Sequence, residues 1–190
     1  MKYDIVLAGV GGQGVLSVGA IIASSAMKEG LAVKQSEVHG MSQRGGAVLA
    51  NLRIAGAPIA SDLIPLGAAS MILSMEPLES LRYLKYLSPE GAIITSVDPV
   101  RNIPDYPDLE AVLAKIRTIP GAVLVESERL ARQAGSARAT NMVMVGAASH
   151  RLPVSVETME HFIESVFRSK GAKVVETNLK AFRAGRGAAA

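Results

Sequence analysis

A cluster of glycines early in the chain has the spacing of a phosphate-binding turn. It follows a β-type segment (3–8), precedes a segment with helical spacing of apolar residues (15–27), and comprises Gly9, Gly11, Gly12, Gln13 and Gly14. Glycine adopts positive φ and has no Cβ, so a ligand can approach the backbone at such a strand-to-helix turn. The first amides of the helix favour an anion, and phosphate is the expected ligand.

This spacing fits the G-x-G-x-x-G dinucleotide fingerprint, but two interpretations stay open. In dinucleotide-binding proteins a carboxylate about 20 residues further on binds the ribose, and Glu37 lies near that distance. Alternatively, the glycines form a tight turn that lets the helix pack closely on the strand and binds no ligand.

A second loop, residues 37–46, carries polar side chains between glycines. It includes Glu37, His39, Gln43, Arg44, Gly45 and Gly46. The planar, permanently charged guanidinium of Arg44 suits phosphate or carboxylate, and the glycines leave room beside it. His39 is a candidate proton carrier or hydrogen-bond donor, because histidine is the side chain whose ordinary pKa lies nearest neutral pH. A nicotinamide-binding unit would continue from its acidic residue into a helix, so this loop weakens the dinucleotide interpretation; the alternative is a solvated surface turn.

The two loops together resemble a known family, the gamma-type component of 2-oxoacid:ferredoxin oxidoreductases. Within it, the chain is most similar to the small (beta) subunit of indolepyruvate ferredoxin oxidoreductase. The resemblance covers essentially the whole chain and is carried by residues 9–15, 37–46, 76–82, Asn141, 146–147 and 178–185. One departure is Ser70, where relatives often carry an aspartate.

The resemblance implies a complex that converts indolepyruvate or another aryl 2-oxoacid, coenzyme A and oxidised ferredoxin to the acyl-coenzyme A, carbon dioxide and reduced ferredoxin. Thiamine diphosphate, Mg and 4Fe-4S clusters are expected on a large alpha subunit, with coenzyme A as cosubstrate. This chain would close one wall of the active site and would supply neither a catalytic residue nor a metal ligand. Its candidate ligand-binding residues are Gly9, Gly11, Gly12, Gln13, Gly14, Glu37, His39, Gln43, Arg44, Gly45 and Glu76.

The composition agrees with a subunit that carries no cluster. The 190 residues, 49% of them hydrophobic and 19% charged, suit a single domain spanning 1–190. The chain has no cysteine, which excludes disulfides, thiolate-bound iron and a cysteine nucleophile.

Partners and compartment follow from charge and hydropathy. The net charge is only +3 and the basic residues are not interleaved with aromatics, so we predict no nucleic-acid binding. There is no signal-peptide pattern and no apolar run of membrane-spanning length, which predicts a cytoplasmic protein without membrane contact.

Strand-like and helix-like segments alternate, which predicts a three-layer α/β/α sandwich. The sheet should be mostly parallel but mixed, because segment 47–54 follows Gly45 and Gly46 without a crossover helix. We expect Glu76 to meet both loops at the carboxyl ends of the strands, as a ligand-binding group or as a helix-start carboxylate.

Several element bounds are also predicted. They are helices at 77–87, 108–117 (capped by Asp108), 127–133, 140–150 and 155–169, a last strand at 173–175, and a closing helix at 177–184 with Gly185 just past its end.

Two other functions remain open. One is a stand-alone NAD(P)- or flavin-binding reductase, which the fingerprint and Glu37 favour. The other is a purely structural subunit whose glycine loops only allow tight contact with the alpha chain.

Overall fold

The computed structural model describes residues 1–39 and 45–189. Over these residues the chain forms a six-stranded sheet in the order β2-β3-β1-β4-β5-β6. The strands are β1 (Lys2–Val10), β2 (Ala32–His39), β3 (Ala47–Ala55), β4 (Ala69–Ser74), β5 (Leu87–Ser96) and β6 (Val123–Val125). The helices are α1 (Val15–Lys28), α2 (Pro77–Arg82), α3 (Leu109–Arg117), α4 (Ser127–Ala134), α5 (Thr140–Ala148), α6 (Val156–Phe167) and α7 (Ala172–Ala188).

The sheet is mixed, as predicted. Strands β1, β4, β5 and β6 pair in parallel, whereas β3 is antiparallel to both β1 and β2. Two reversals leave β2 pointing the same way as β1, although β3 lies between them. The carboxyl ends of five strands therefore meet at one edge of the sheet, which is where ligands of such folds bind.

Helices cover both faces of the sheet, which confirms the three-layer sandwich. Residues of β1 alternate between the faces, as a strand requires: Ile5 and Leu7 join the larger core with α1 and α4–α7, while Val6 joins the smaller core with α2 and α3. A strand buried on both sides is typical of the middle of such a sheet.

Helices α5 and α7 cross at unusually close range because each has a glycine at the contact. A Cβ placed on Gly146 would lie 1.9 Å from the carbonyl oxygen of Phe182, and one on Gly185 would lie 1.9 Å from that of Val143. All of 141–148 is buried, so α5 lies sandwiched inside its layer.

An ion pair is buried at the amino end of β1. Asp4 and Arg53 lie directly opposite each other on β1 and β3 and are 1% and 7% exposed. Their bonds are bidentate, Arg53 Nε to Oδ1 at 2.9 Å and Nη2 to Oδ2 at 3.1 Å. Nη1 donates to the carbonyls of Ser61 and Leu63 at 3.0 and 2.8 Å, which holds the 56–68 connection against the sheet.

Three of the predicted bounds are wrong. Helix α2 ends at Arg82 and not at Leu87, because a 3-10 turn and then β5 follow. Residues 173–175 are helical and belong to α7, which also contains 177–184. Gly185 therefore lies inside that helix and not past its end. The Asp108 cap is confirmed, since its Oδ1 accepts from the amide of Ala111 at 2.9 Å.

Candidate functional site

The first glycine loop connects β1 to α1 at the carboxyl edge of the sheet. Gly12 and Gly14 have φ of 103° and 80°, conformations that residues with a Cβ rarely adopt. Gly14 is the N-cap of α1, which has no side-chain cap and no acidic residue in its first turn. The positive end of the helix dipole is therefore not compensated by its own side chains, as an anion site requires.

Gln13 holds this loop in place. Its Oε1 accepts from the amide of Val10 at 2.8 Å and its Nε2 donates to the carbonyl of Met75 at 3.0 Å. Gly9 lies beneath it, where a Cβ would come within 3.0 Å of the Gln13 Oε1 and 2.9 Å of Val15. Gln13 thus connects the ends of β1 and β4, and the carboxamide is already bonded at both ends.

Backbone hydrogen bonds join the first glycine loop to the end of the second. The amide of Gly11 donates to the Gly46 carbonyl at 2.8 Å, and the amide of Gly45 donates to the Gly11 carbonyl at 3.3 Å. The Gly45 carbonyl accepts from Asn102 Nδ2 at 2.7 Å. These contacts place Gly45 and Gly46, the described end of the second loop, beside the first loop and the 97–108 connection.

Glu76 is also at this edge, and it is 1% exposed. Its Oε2 accepts from the amide of Glu79 at 2.8 Å, so it caps α2. Its Oε1 accepts from the amide of Val100 at 3.4 Å and from the hydroxyl of Tyr106. Glu76 thereby has the helix-start position that the sequence allowed, and it also fastens the 97–108 connection.

Burial raises the pKa values of two ionisable groups near Glu76. Burial, together with the hydrogen bond to Glu76, raises the pKa of the Tyr106 hydroxyl well above its usual value, so this hydroxyl stays a donor. Burial also raises the pKa of Glu79, and Arg82, whose Nε lies 2.9 Å from Oε2, opposes that shift.

The remaining predicted residues of the second loop lie elsewhere or outside the described part. Glu37 and His39 are in β2, so this strand extends into the segment predicted as a loop. Gln43 and Arg44 lie outside the described residues. In a dinucleotide-binding unit the acidic residue ends a strand adjacent to the glycine turn. Here β3 separates β2 from β1, so the position of Glu37 does not fit that arrangement.

A small cavity of about 180 Å³ opens between Gln13, Met75 and the start of α4. Asp98 lies on its wall, and its Oδ2 accepts from Ser127 Oγ at 2.8 Å and from the amide of Glu128 at 2.7 Å. Sequence reasoning missed Asp98. The available signal was an acidic residue just beyond an apolar strand, a position where polar groups collect in this class of fold.

The described ranges contain neither a cluster of metal-binding side chains nor a membrane-spanning helix. In residues 1–39 and 45–189 no group of three or more His, Cys, Asp or Glu side chains is placed to hold a metal ion. Among the helices of the same ranges, none is both long and apolar enough to cross a membrane.

Comparisons with known proteins agree with this geometry. The family described as pyruvate ferredoxin/flavodoxin oxidoreductase matches residues 4–188. A protein of Archaeoglobus fulgidus named indolepyruvate oxidoreductase subunit IorB is 37% identical, over 97% of this chain and 94% of that protein.

Solved structures show the same fold. The gamma subunit of a keto/oxoacid ferredoxin oxidoreductase from Geobacter sulfurreducens superimposes with a TM-score of 0.70 at 26% identity, over 98% of both chains. The 2-oxoglutarate:ferredoxin oxidoreductase of Magnetococcus marinus, solved with 2-oxoglutarate, coenzyme A and succinyl-CoA, gives a TM-score of 0.79 at 23% identity. That match covers 99% of this chain but only 31% of the other.

Proposed function

We propose, starting from the fact that this chain belongs to the pyruvate ferredoxin/flavodoxin oxidoreductase family, that it is the small subunit of an indolepyruvate ferredoxin oxidoreductase. The similarity to a relative of that name over 97% of the chain carries the proposal. The complex would oxidise indolepyruvate or another aryl 2-oxoacid, with coenzyme A and ferredoxin, to the acyl-coenzyme A and carbon dioxide. The chain would act as one domain beside a large alpha subunit, in the cytoplasm.

The donor groups of this chain do not fit the redox cofactors of such a complex. Iron-sulfur clusters are bound by cysteine thiolates, and the chain has none. Mg with thiamine diphosphate needs oxygen ligands, and no group of three or more candidate side chains gathers within the described residues. The proposal therefore assigns thiamine diphosphate, Mg and the 4Fe-4S clusters to the large subunit.

In this proposal the chain itself contributes a wall that binds an anionic group of a substrate. The start of α1 has no side-chain cap, and the loop that leads into it (Gly9, Gly11, Gly12, Gln13 and Gly14) lies beside Gly45 and Gly46. Arg44 would add a fixed positive charge to this wall, and the other candidate ligand-binding residues of the second loop are Glu37, His39, Gln43 and Gly45. Glu76 would not contact the substrate itself but would position the 97–108 connection, to which it is hydrogen-bonded.

A purely structural role for the loops is the second candidate, and one observation favours it. Gln13 and the backbone of Gly11 form their hydrogen bonds within the chain, so the turn is stable without a ligand. The stand-alone reductase is disfavoured, because β3 displaces Glu37 from the glycine turn.

Reconstitution tests the proposed function. Co-expression of this chain with its large subunit should give a stable complex that reduces ferredoxin with indolepyruvate and coenzyme A, whereas the chain alone should be inactive. The checks are anaerobic size-exclusion chromatography and a ferredoxin-reduction assay. Dinucleotide binding by the isolated chain, with no association, would instead support the reductase.

Arg44→Ala distinguishes a binding loop from a structural one. A charge-assisted hydrogen bond contributes roughly 1.5–3 kcal/mol, so the variant complex should lose about 10- to 150-fold in turnover or in apparent affinity for coenzyme A or the oxoacid. Arg44→Lys should recover only part, since lysine lacks the planar fork. Steady-state kinetics on the assembled complex measures both.

The matched control is Arg117→Ala. Arg117 ends α3 at the opposite edge of the sheet, because this helix leads back to the start of β6. Its kinetics should be unchanged. Unchanged kinetics in Arg44→Ala as well would remove Arg44 from the site, and lost assembly with a lowered melting temperature would support the structural role.

A further inference from the structure

A basic cavity of about 430 Å³ lies away from the glycine loops, and the proposed function does not use it. It lies between the start of α7, the start of α5, the end of α6 and the first turn of α1. We call it the basic cavity; its polar lining includes Arg138, Lys170, Lys173, Asn141, Thr177 and Asn178. The lining contains three cationic side chains and no carboxylate.

These three cations form no ion pair among the described residues, unlike most basic side chains nearby. Five basic residues of α4, α7 and the turn after α6 lie within ion-pair distance of a carboxylate, and a sixth, Arg186, donates to the Ser149 hydroxyl at 2.7 Å: the five are Arg129, Arg132, Arg168, Lys180 and Arg183. Arg138, Lys170 and Lys173 form no such pair with any described residue; Lys170 only lies over the ring of Phe167, at 5.3 Å from its centre. Their charge is directed at solvent inside a concave site, which raises the local concentration of anions.

Two buried asparagines at the cavity also keep unpaired polar atoms. Asn141 is 9% exposed and Asn178 6% exposed. The Oδ1 of Asn141 accepts from the amide of Met142, and the Nδ2 of Asn178 donates to the carbonyl of Val174. The other amide atom of each side chain forms no hydrogen bond with any described residue. These bonds set the orientation of each amide, so Asn141 keeps the donor Nδ2 free for an anion, whereas the free atom of Asn178 is the acceptor Oδ1.

The size and polarity of the cavity indicate the kind of ligand. Its volume lies within the range of small-molecule sites, about 300–1,000 Å³. Arginine, lysine and amide donors suit a phosphate group, and Phe167 and Val174 add apolar surface beside them. The start of α7, where the Gly171 cap supplies no side-chain bond, adds a favourable dipole.

We propose that the basic cavity binds a phosphate group, as inorganic phosphate or as the phosphomonoester of a small organic molecule, through Arg138, Lys173 and the free amide of Asn141. The inference goes beyond the proposed function and does not depend on it, because binding requires this chain alone and no turnover. The phosphate would lie behind the first turn of α1, where Asn141 packs against Gly14.

Calorimetric titration of the full chain with inorganic phosphate and with adenosine 3′,5′-bisphosphate tests the proposal. Saturable binding that weakens as salt is added is expected. Lys173→Ala and Arg138→Ala should each weaken it by about 5- to 10-fold, somewhat less than for buried donors because both side chains are exposed. Asn141→Asp keeps the side-chain shape but adds a negative charge, so binding should be lost.

The matched control is Lys180→Ala, which removes a lysine of the same helix that is already paired with Glu176 and should leave the affinity unchanged. If adenosine 3′,5′-bisphosphate binds more tightly than inorganic phosphate, the ligand of the cavity is an organic phosphomonoester. Equal affinities would show that the cavity recognises only the phosphate group. No saturable binding of either probe, or an equal loss in Lys180→Ala, would overturn the proposal. If Asn141→Asp does not fold, the two cation variants decide.

Discussion

Gly185→Ala is expected to lower the free energy of unfolding by about 3 kcal/mol or more. The added Cβ would lie 1.9 Å from the carbonyl oxygen of Val143, and backbone cannot move aside as a flexible side-chain end can. Helices α5 and α7 must therefore separate, which opens the core around Phe182. In a thermal melt this loss corresponds to a decrease of roughly 6–12 °C for a chain of this size.

Gly187→Ala is the control for this prediction, because it lies two residues further along the same helix, where an added Cβ would have no atom within 4 Å. Alanine there should be neutral or should stabilise the helix by up to about 1 kcal/mol. Equal melting temperatures for the two variants would mean that the close crossing does not contribute to stability.

Asp4→Ala is expected to destabilise the protein by about 3–5 kcal/mol. The change leaves the guanidinium of Arg53, which is 7% exposed, without its carboxylate. Lys2 contacts the same carboxylate at 3.1 Å but its side chain is 57% exposed, so Lys2→Ala should change stability by less than about 1 kcal/mol. Chemical denaturation of both variants measures the difference.

A double variant separates the charge from the packing. Asp4→Leu with Arg53→Met replaces the buried pair by apolar groups, which often restores most of the stability. Here recovery should be partial, because the carbonyls of Ser61 and Leu63 lose their donor. A double variant as unstable as Asp4→Ala would show that the buried charge is not the cause.

The alternation of strands and helices could be predicted from local patterns, but the end of α2 and the start of α7 could not. Apolar spacing continues past Arg82, and only the pairing of β5 with β4 decides that the chain leaves the helix there. Val174 and Val175 favour a strand locally. Packing of α7 on α5 through Phe182 and Gly185 overrides that preference.

The sequence could predict which groups lie close together at the site where this follows from the direction of the strands. Both glycine loops and Glu76 follow strands that point the same way, so the rule of carboxyl ends brings them together. The insertion of β3 between β1 and β2 was not predictable from the spacing of Glu37, since strand order depends on long-range pairing. Asp98 follows an apolar strand, but its partners, Ser127 and Glu128, are about 30 residues away, so no local spacing connects them with it.

The register of the β1–β3 ladder determines which residue of the first glycine loop lies opposite the end of the second. It pairs Lys2 with Ala55 and ends at Val10 with Ala47, and the bonds of Gly11 to Gly46 continue it by one step. A slip by two residues would keep every side chain on its face, but it would bury Arg53 opposite Val6 or Lys2 in place of Asp4. The buried Asp4–Arg53 ion pair at the amino end of β1 therefore selects the register that aligns the glycine loops at its carboxyl end. The two ends lie about 24 Å apart, at 3.4 Å per residue from Asp4 to Gly11.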